Sequence, residues 1–185
     1  MRIFITLIFS AQLLLAQEAK PTVAILDFEG QDVSESEVKT LSERMRTEIG
    51  NTNAVRLIER KAVEKIMQEQ GLQQSGCTTD ECAAEVGQLL GVQFMISGSI
   101  GKMGKSYTID CKMFSVETGE TVRSKNATHD GDISGLLIEM QIMAWEIVGL
   151  DAPGSLKLKR AGKEASTTVA VLDFEGRGIT MQEAQ

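Results

Sequence analysis

The sequence predicts an α+β protein, layered so that helices pack on one face of a mixed β-sheet, and three observations support this. A continuous apolar run ending in Asp-Phe-Glu-Gly, at Thr22–Phe28, is typical of a buried strand. Apolar residues then recur at helical spacing as far as Gly91. From Val92 the period changes to two, which is typical of half-buried antiparallel strands. The predicted order of elements is β-α-β-α-α-β-β-β-α.

Capping signals and glycines set the predicted elements of the first half. Two capping boxes of the form Ser/Thr-x-x-Glu, at Ser34–Glu37 and Thr78–Glu81, predict the starts of two helices. The first of these helices is predicted to end near Gly50. Val55–Ile58 is the second strand, and another helix follows it and ends near Gly71.

The second half predicts three strands and a long helix. The first strand starts at Val92, the second covers Tyr107–Met113 with strict alternation, and a turn leads to the third at Thr121–Thr128. An amphipathic helix follows at Ile133–Leu150. Residues 151–167 show no sustained period and are predicted to be a linker.

The first 16 residues resemble an export signal. Arg2 gives the positive start, an apolar run follows, and Leu14-Leu15-Ala16 offers a cleavage site with a small residue. The run has 13 residues, Ile3 to Leu15, whereas a membrane-spanning helix needs roughly 20. We therefore expect residues 1–16 to be removed and the product to be periplasmic, with no lipid anchor and no membrane-spanning segment.

A repeated octapeptide divides the chain. Val23–Gly30 returns at Val169–Gly176 with seven of eight residues identical, at a spacing of 146 residues. Repetition at this level predicts one complete domain at 22–150 and the truncated start of a second copy of it at 168–185. In the complete protein, two such domains would stand in tandem.

The charge balance argues against one class of partner. The chain has 19 basic and 26 acidic side chains, and removal of Arg2 with the signal changes the net charge from −7 to −8. Nucleic-acid binding needs clustered Lys and Arg, so we expect no nucleic-acid partner.

The three cysteines favour one disulfide and one thiol. Cys77 and Cys82 flank the predicted start of a helix, where two Cα atoms can approach within bridging distance. Export to an oxidising compartment favours a Cys77–Cys82 disulfide, with free thiols and a metal site as the alternatives. A zinc site would need two further ligands, and the sequence has no second cysteine pair. Cys111 lies on the apolar side of its strand and is predicted to be a buried thiol.

Catalytic and metal-binding patterns are weak. His129 lies beside Asp130 and Asp132, which together suggest a cation site, but adjacent loop residues rarely complete a coordination shell. Asp130 and Asp132 are better interpreted as caps of the helix that follows. The sequence offers no nucleophile paired with a base, so we predict a protein that is not an enzyme and needs no metal or cofactor.

Two carboxylates recur with the repeat. Asp27 and Glu29 follow the first strand and return as Asp173 and Glu175. Carboxylates at the carboxyl end of a buried strand can line a ligand crevice. The alternative, which we favour, is that they bond to backbone amides at the turn into the helix.

Five short motifs follow one another through the predicted domain. The set starts with the repeated octapeptide and continues with Leu-Ile-Glu-Arg, Glu-Gln-Gly-Leu-Gln-Gln-Ser-Gly-Cys, Leu-Leu-Gly-Val and Gly-Ser-Ile-Gly, at Leu57–Arg60, Glu69–Cys77, Leu89–Val92 and Gly98–Gly101. As an ordered set these motifs resemble the CsgG family, whose founding member is the curli secretion channel of the bacterial outer membrane. The periplasmic LpoB domain and the N-terminal domain of TolB share that general architecture.

The resemblance implies a role through protein contacts. We expect a non-catalytic accessory or scaffold component in outer-membrane secretion or cell-envelope assembly, located in the periplasm and peripheral to the outer membrane. Its partners would be envelope or outer-membrane proteins, together with self-association through the CsgG-like domain. The alternative is a periplasmic sensor that binds a small ligand or cation at Asp27 and Glu29.

Overall fold

The computed structural model describes residues 19–72 and 79–165. The predicted export signal at 1–16 and the repeated segment at 168–185 lie outside these ranges, as does Cys77. The assignments made for those residues therefore remain predictions.

The described residues form strands and helices in an order close to the predicted one. The strands are β1 (Thr22–Ile25), β2 (Glu29–Gln31), β3 (Arg56–Leu57), β4 (Phe94–Met103), β5 (Ser106–Ser115) and β6 (Thr121–Asp130). The helices are α1 (Glu35–Thr52), α2 (Arg60–Glu69), α3 (Asp80–Leu90), α4 (Leu136–Ile147) and α5 (Gly154–Ala165), with a 3-10 turn at Ile133–Gly135 before α4. None of these helices is both long and apolar enough to cross a membrane.

The strands form one mixed sheet. Its order is β3-β1-β4-β5-β6, and β2 continues alongside β4 beyond the end of β1. β1 runs parallel to β3 and β4, whereas β4, β5 and β6 form an antiparallel meander. The α+β class and the mixed sheet are confirmed.

Helices cover both faces of the first half of the sheet, which differs from the expected one-sided layer. Along β1, Val23 and Ile25 lie in one core with side chains of α1 and α4, whereas Ala24 and Leu26 lie in a second core with side chains of α2 and α3. All four are buried. Because successive side chains of a strand point to opposite faces, an apolar run without alternation needs a cover on each side.

The first predicted capping box is confirmed. The Ser34 amide donates to Glu37 Oε2 at 3.1 Å, and the Glu37 amide donates to Ser34 Oγ at 3.4 Å. α1 continues to Thr52, two residues beyond Gly50, and Asn53 ends it with a left-handed φ of 55°. At α3 the cap is Thr79, whose Oγ1 accepts from the Cys82 amide at 3.3 Å.

The predicted linker contains a helix. α5 occupies Gly154–Ala165 within the segment 151–167, whose role as a linker between two domains remains a prediction. Ala152 and Leu156 are buried against Ile142 of α4. This short helix uses few apolar residues, so its period was weak in the sequence.

Candidate functional site

The second half of the sheet exposes a polar surface on the face that carries α2 and α3. These two helices cover Met95 and Phe114, but the sheet extends beyond them. The uncovered part forms a groove of about 380 Å³, which we call the polar groove. The polar side chains that line it are those of Asp27, Glu29, Thr79, Ser97, Ser99, Asp110, Lys112, Ser124 and Asn126.

Strand register groups the side chains of the polar groove. Asp110 of β5 pairs with Ser99 on one side and with Asn126 on the other. Two residues along β5, Lys112 pairs with Ser97 of β4 and Ser124 of β6. Paired residues of antiparallel strands point to the same face with Cβ atoms roughly 5 Å apart. The groove therefore presents hydroxyl, amide, carboxylate and ammonium groups on a regular sheet surface.

Two elements form the rim of the polar groove. Lys112 makes an ion pair with Asp80, which links the middle of β5 to the first turn of α3. Glu29 starts β2 and lies in register with Ser99 of β4. Both parts of the rim therefore belong to regular elements, α3 at one place and β2 at the other.

Asp27 lies where the polar groove meets an arginine–carboxylate network. Its Oδ1 lies 3.3 Å from Nη2 of Arg46, and its Oδ2 lies 2.5 Å from Nη2 of Arg60. Glu43 contacts both arginines, at 2.8 Å from Arg46 Nη1 and 3.1 Å from Arg60 Nη1. Glu64 completes the network, 3.0 Å from Arg60 Nε.

The charged side chains of this network are largely buried, which indicates that it stabilises the fold. The side chains of Asp27, Arg46 and Arg60 are 14%, 8% and 18% exposed. Arg46 Nη2 also donates to the carbonyl of Ile25 at 2.9 Å, so α1 holds the end of β1 through backbone as well as side chain. Charges withdrawn from water need such pairing to offset desolvation. The geometry favours a structural role for Asp27, with partners other than the backbone amides expected from sequence.

Of the three cysteines, the structure describes Cys82 and Cys111. Asp173, Glu175 and Cys77 lie outside the described residues, so their roles and the Cys77–Cys82 pairing remain predictions. Cys82 is half-buried in the first turn of α3. Cys111 is a buried free thiol whose pKa is raised by burial.

His129 and its neighbours have local structural contacts. His129 lies in β6 opposite Tyr107, and its imidazole packs so closely on Gly135 that a Cβ there would overlap the ring. Asp132 caps the 3-10 turn by accepting from the Ser134 amide at 2.8 Å, as expected. Asp130 instead accepts from Ser106 Oγ at 2.5 Å. Within residues 19–72 and 79–165, three or more metal-ligating side chains nowhere come together.

Sequence reasoning missed the arginines of the Asp27 network. Arg60 closes the Leu-Ile-Glu-Arg motif, and Asp27 belongs to the repeated octapeptide, so two motifs noted in the sequence meet in space. Arg46 lies within the apolar stripe of α1 and is buried at a position where a hydrophobic residue is usual. A basic residue inside that stripe was the one available signal.

Comparison of the sequence with protein families shows which family the chain matches. The family described as the peptidoglycan-synthase activator LpoB matches residues 7–128, which is more than half of the chain. The chain belongs to the LpoB family. The relation to LpoB, expected alongside the CsgG resemblance, is confirmed, whereas the CsgG assignment and the relation to TolB remain predictions. No curated protein sequence matches this chain at a significant level.

Solved structures give a likeness in fold. The LpoB C-terminal domain from Escherichia coli is 17% identical with a TM-score of 0.53, and the match covers 66% of this chain and 93% of that domain. The corresponding domain from Salmonella enterica is 17% identical with a TM-score of 0.52, covering 65% and 91%. Lipoprotein GNA1162 from Neisseria meningitidis is 8% identical with a TM-score of 0.55, covering 82% and 99%. At these identities, the likeness shows the fold alone.

Proposed function

We propose that this protein binds a peptidoglycan synthase in the cell envelope and raises its activity without catalysing a reaction itself. The observation that carries this proposal is the LpoB family match across residues 7–128. The signal-like residues 1–16 support export to the periplasm, where a synthase could be met.

The polar groove is our candidate for the synthase-binding surface. It lies on strands whose opposite face is packed against α1 and α4, so its side chains are held on a firm base. Protein interfaces outside obligate complexes are about as polar as the rest of a protein surface and rely on hydrogen bonds and charge complementarity. Ser99, Asp110 and Asn126 supply such groups in one row of the sheet.

A small-ligand or cation sensor at Asp27 and Glu29 has less support. Both carboxylate oxygens of Asp27 already lie against arginines, at 3.3 Å and 2.5 Å. A cation would have to displace those arginines, and their positive charge opposes it. For a neutral ligand, Glu29 at the rim would be the one of these two carboxylates left to bind it.

Charge reversal in the polar groove tests the binding surface. Asp110 is exposed and central, so Asp110→Lys should weaken binding to a purified synthase from the same organism at least tenfold in a titration. Glu117→Lys is the matched control, because Glu117 is also exposed but lies in the β5–β6 turn away from the groove. Equal affinity of Asp110→Lys and wild type would remove the groove from the proposal. Failure of the wild type to bind any synthase would remove the proposed function itself.

A further inference from the structure

α5 is a basic helix in an acidic protein. The chain has a net charge of −7. Within α5, four basic residues stand against one acidic residue, Glu164, which gives this segment a net charge of +3. The basic residues are Lys157, Lys159, Arg160 and Lys163. Positive charge is therefore concentrated in a single helix of 12 residues.

The two leucines of α5 point in opposite directions. Leu156 is buried against Ile142 of α4, whereas Leu158 is 73% exposed. Neighbouring positions of a helix are about 100° apart around its axis, so Leu156 and Leu158 differ by about 200°. One leucine therefore holds α5 on α4, and the other points away from the domain.

Leu158 lies between two lysines. Lys157 and Lys159 are each about 100° from it around the helix, on opposite sides, and both are exposed. We call Leu158 together with Lys157 and Lys159 the Leu158 face. The positions three and four residues away, which are the nearest to Leu158 on the helix surface, all hold short side chains or none. They are Gly154, Ser155, Ala161 and Gly162. The Leu158 face therefore presents one protruding apolar side chain with a positive charge on each side.

Nearby carboxylates neutralise little of the charge on the Leu158 face. Lys157 Nζ lies 3.9 Å from Asp151 Oδ1, and Asp151 is fully exposed, so water screens this pair. Arg160 is not part of the Leu158 face, because it turns toward α4, where its Nη1 lies 3.5 Å from Glu139 Oε2. The lysines of the Leu158 face can therefore meet a further anionic partner.

The Leu158 face and the polar groove lie on opposite sides of the domain. α4 contributes Met140 and Ile147 to the core that it forms with α1, and α5 packs on the other side of α4 through Leu156 and Ile142. The polar groove lies beyond the sheet, on the face that carries α2 and α3. A partner at one of these surfaces leaves the other accessible.

We propose that the Leu158 face binds the surface of an anionic lipid bilayer. Lys157 and Lys159 contact the lipid phosphates, and Leu158 inserts among the headgroups. Helices that lie on a bilayer surface combine basic residues with an apolar side chain in this way. Lysine suits this position because its methylene groups lie along the apolar boundary while its ammonium group stays among the headgroups.

The charge distribution also gives the bound domain an orientation. The chain outside α5 is acidic, so an anionic bilayer repels it and attracts α5. One leucine and two lysines give a weak and reversible contact that turns the polar groove away from the membrane. The proposal is independent of the proposed function, because the Leu158 face shares no residue with the polar groove.

Vesicle sedimentation tests the contact. Residues 17–185, the chain without its predicted export signal, are mixed with vesicles of phosphatidylglycerol or of phosphatidylcholine. We expect binding to phosphatidylglycerol at about 50 mM salt and release at about 0.5 M salt, because salt screens charges at a surface. Vesicles of phosphatidylcholine, which have no net charge, should bind little protein.

Two double variants with the same change in net charge locate the contact. Lys157→Glu with Lys159→Glu should lower the affinity for phosphatidylglycerol vesicles about tenfold or more. Lys61→Glu with Lys65→Glu is the matched control, because both lysines are exposed on α2, which covers the opposite face of the sheet. The control should lose less than about twofold, since its charges lie far from the bilayer.

Leu158→Ser distinguishes a bilayer from a soluble polyanion. It should lower the affinity for phosphatidylglycerol vesicles about threefold or more, because burial of the leucine is lost, and leave binding to soluble polyphosphate unchanged. All the substituted side chains are exposed, so each variant should fold like wild type. The proposal is overturned if wild type does not bind phosphatidylglycerol vesicles at low salt, or if the two double variants bind equally. It is also overturned if Leu158→Ser binds the vesicles like wild type, since the lysines would then bind any polyanion.

Discussion

Nη2 of Arg60 lies 2.5 Å from Oδ2 of Asp27, so the first residue of α2 is fastened to the end of β1. Arg46 of α1 contacts the other carboxylate oxygen at 3.3 Å. A single carboxylate therefore connects helices from opposite faces of the sheet.

Removal of Asp27 should destabilise the fold strongly. Asp27→Ala leaves two largely buried guanidinium groups without this carboxylate, and breaking such a pairing costs about 3 kcal/mol. Urea unfolding followed by circular dichroism measures the loss. Glu64→Gln is the control, because Glu64 is 36% exposed and its pair with Arg60 should contribute less than about 1 kcal/mol. Equal losses for the two variants would contradict a structural role for Asp27.

Gly98 should tolerate no side chain. A Cβ at Gly98 would overlap the Asp110 carbonyl oxygen and lie 2.6 Å from Cε2 of Phe28. Gly98→Ala should therefore lower the free energy of unfolding by about 2 kcal/mol.

Gly50→Ala is the matched control for Gly98→Ala. Gly50 lies within α1 with open space around it, so alanine there should stabilise the protein by up to about 1 kcal/mol. Thermal melting of both variants would show opposite shifts in Tm, and a stabilised Gly98→Ala would refute the close packing of Phe28 on β4.

α5 should be part of the folded domain. Leu156 is buried against Ile142, whereas Leu158 on the same helix is 73% exposed. Leu156→Ala should cost about 2 kcal/mol and Leu158→Ala less than about 0.5 kcal/mol. Limited proteolysis should then cleave the Leu156→Ala variant faster after Ala152. Identical cleavage of both variants would return residues 151–167 to the status of a linker.

The capping box should make stability depend on pH. Hydrogen bonds from the Ser34 side chain and then from its backbone amide lower the pKa of Glu37 from its ordinary value of 4.5. A lowered pKa in the folded state adds stability above about pH 4.5 that is lost as the pH falls through the folded value. Between pH 5 and pH 3, wild type should lose more stability than Glu37→Gln. Glu117→Gln, outside any helix cap, should behave like wild type; parallel curves for all three proteins would exclude this contribution.

Thiol labelling should distinguish the three cysteines. Burial raises the pKa of Cys111, and the thiolate is the reactive form, so the native protein should label slowly at Cys111. After unfolding without reductant, the predicted Cys77–Cys82 disulfide would leave about one reactive thiol per chain, and reduction would raise this to about three. Three thiols before reduction would refute the disulfide.

The sequence predicted the elements better than their layering. Capping at Ser34 and alternation at Tyr107–Met113 are local signals, and both correspond to observed elements. The expectation of helices on one face did not use the information in the run Val23–Leu26. This apolar run indicated burial on two faces, and α2 and α3 supply the second cover. α5 was not predicted because, among the side chains described at 151–162, Leu156 and the preceding Ala152 alone are buried.

The candidate site could be predicted only in part. Asp27 and Glu29 were identified from their place after a buried strand, and both line the polar groove. Their partners come from distant segments, and nothing in a single sequence pairs Arg46 and Arg60 with Asp27. Likewise, the row through Ser99, Asp110 and Asn126 depends on strand register, which the residues in the strands do not specify individually.

Activation of a peptidoglycan synthase through direct contact is the function that we propose for this chain. The most direct measurement is the rate of glycan-chain synthesis by a purified synthase from the same organism, with increasing amounts of this protein. We predict a saturable increase in rate that Asp110→Lys weakens and Glu117→Lys preserves. An unchanged rate at saturating protein, for every synthase of that organism, would contradict the account.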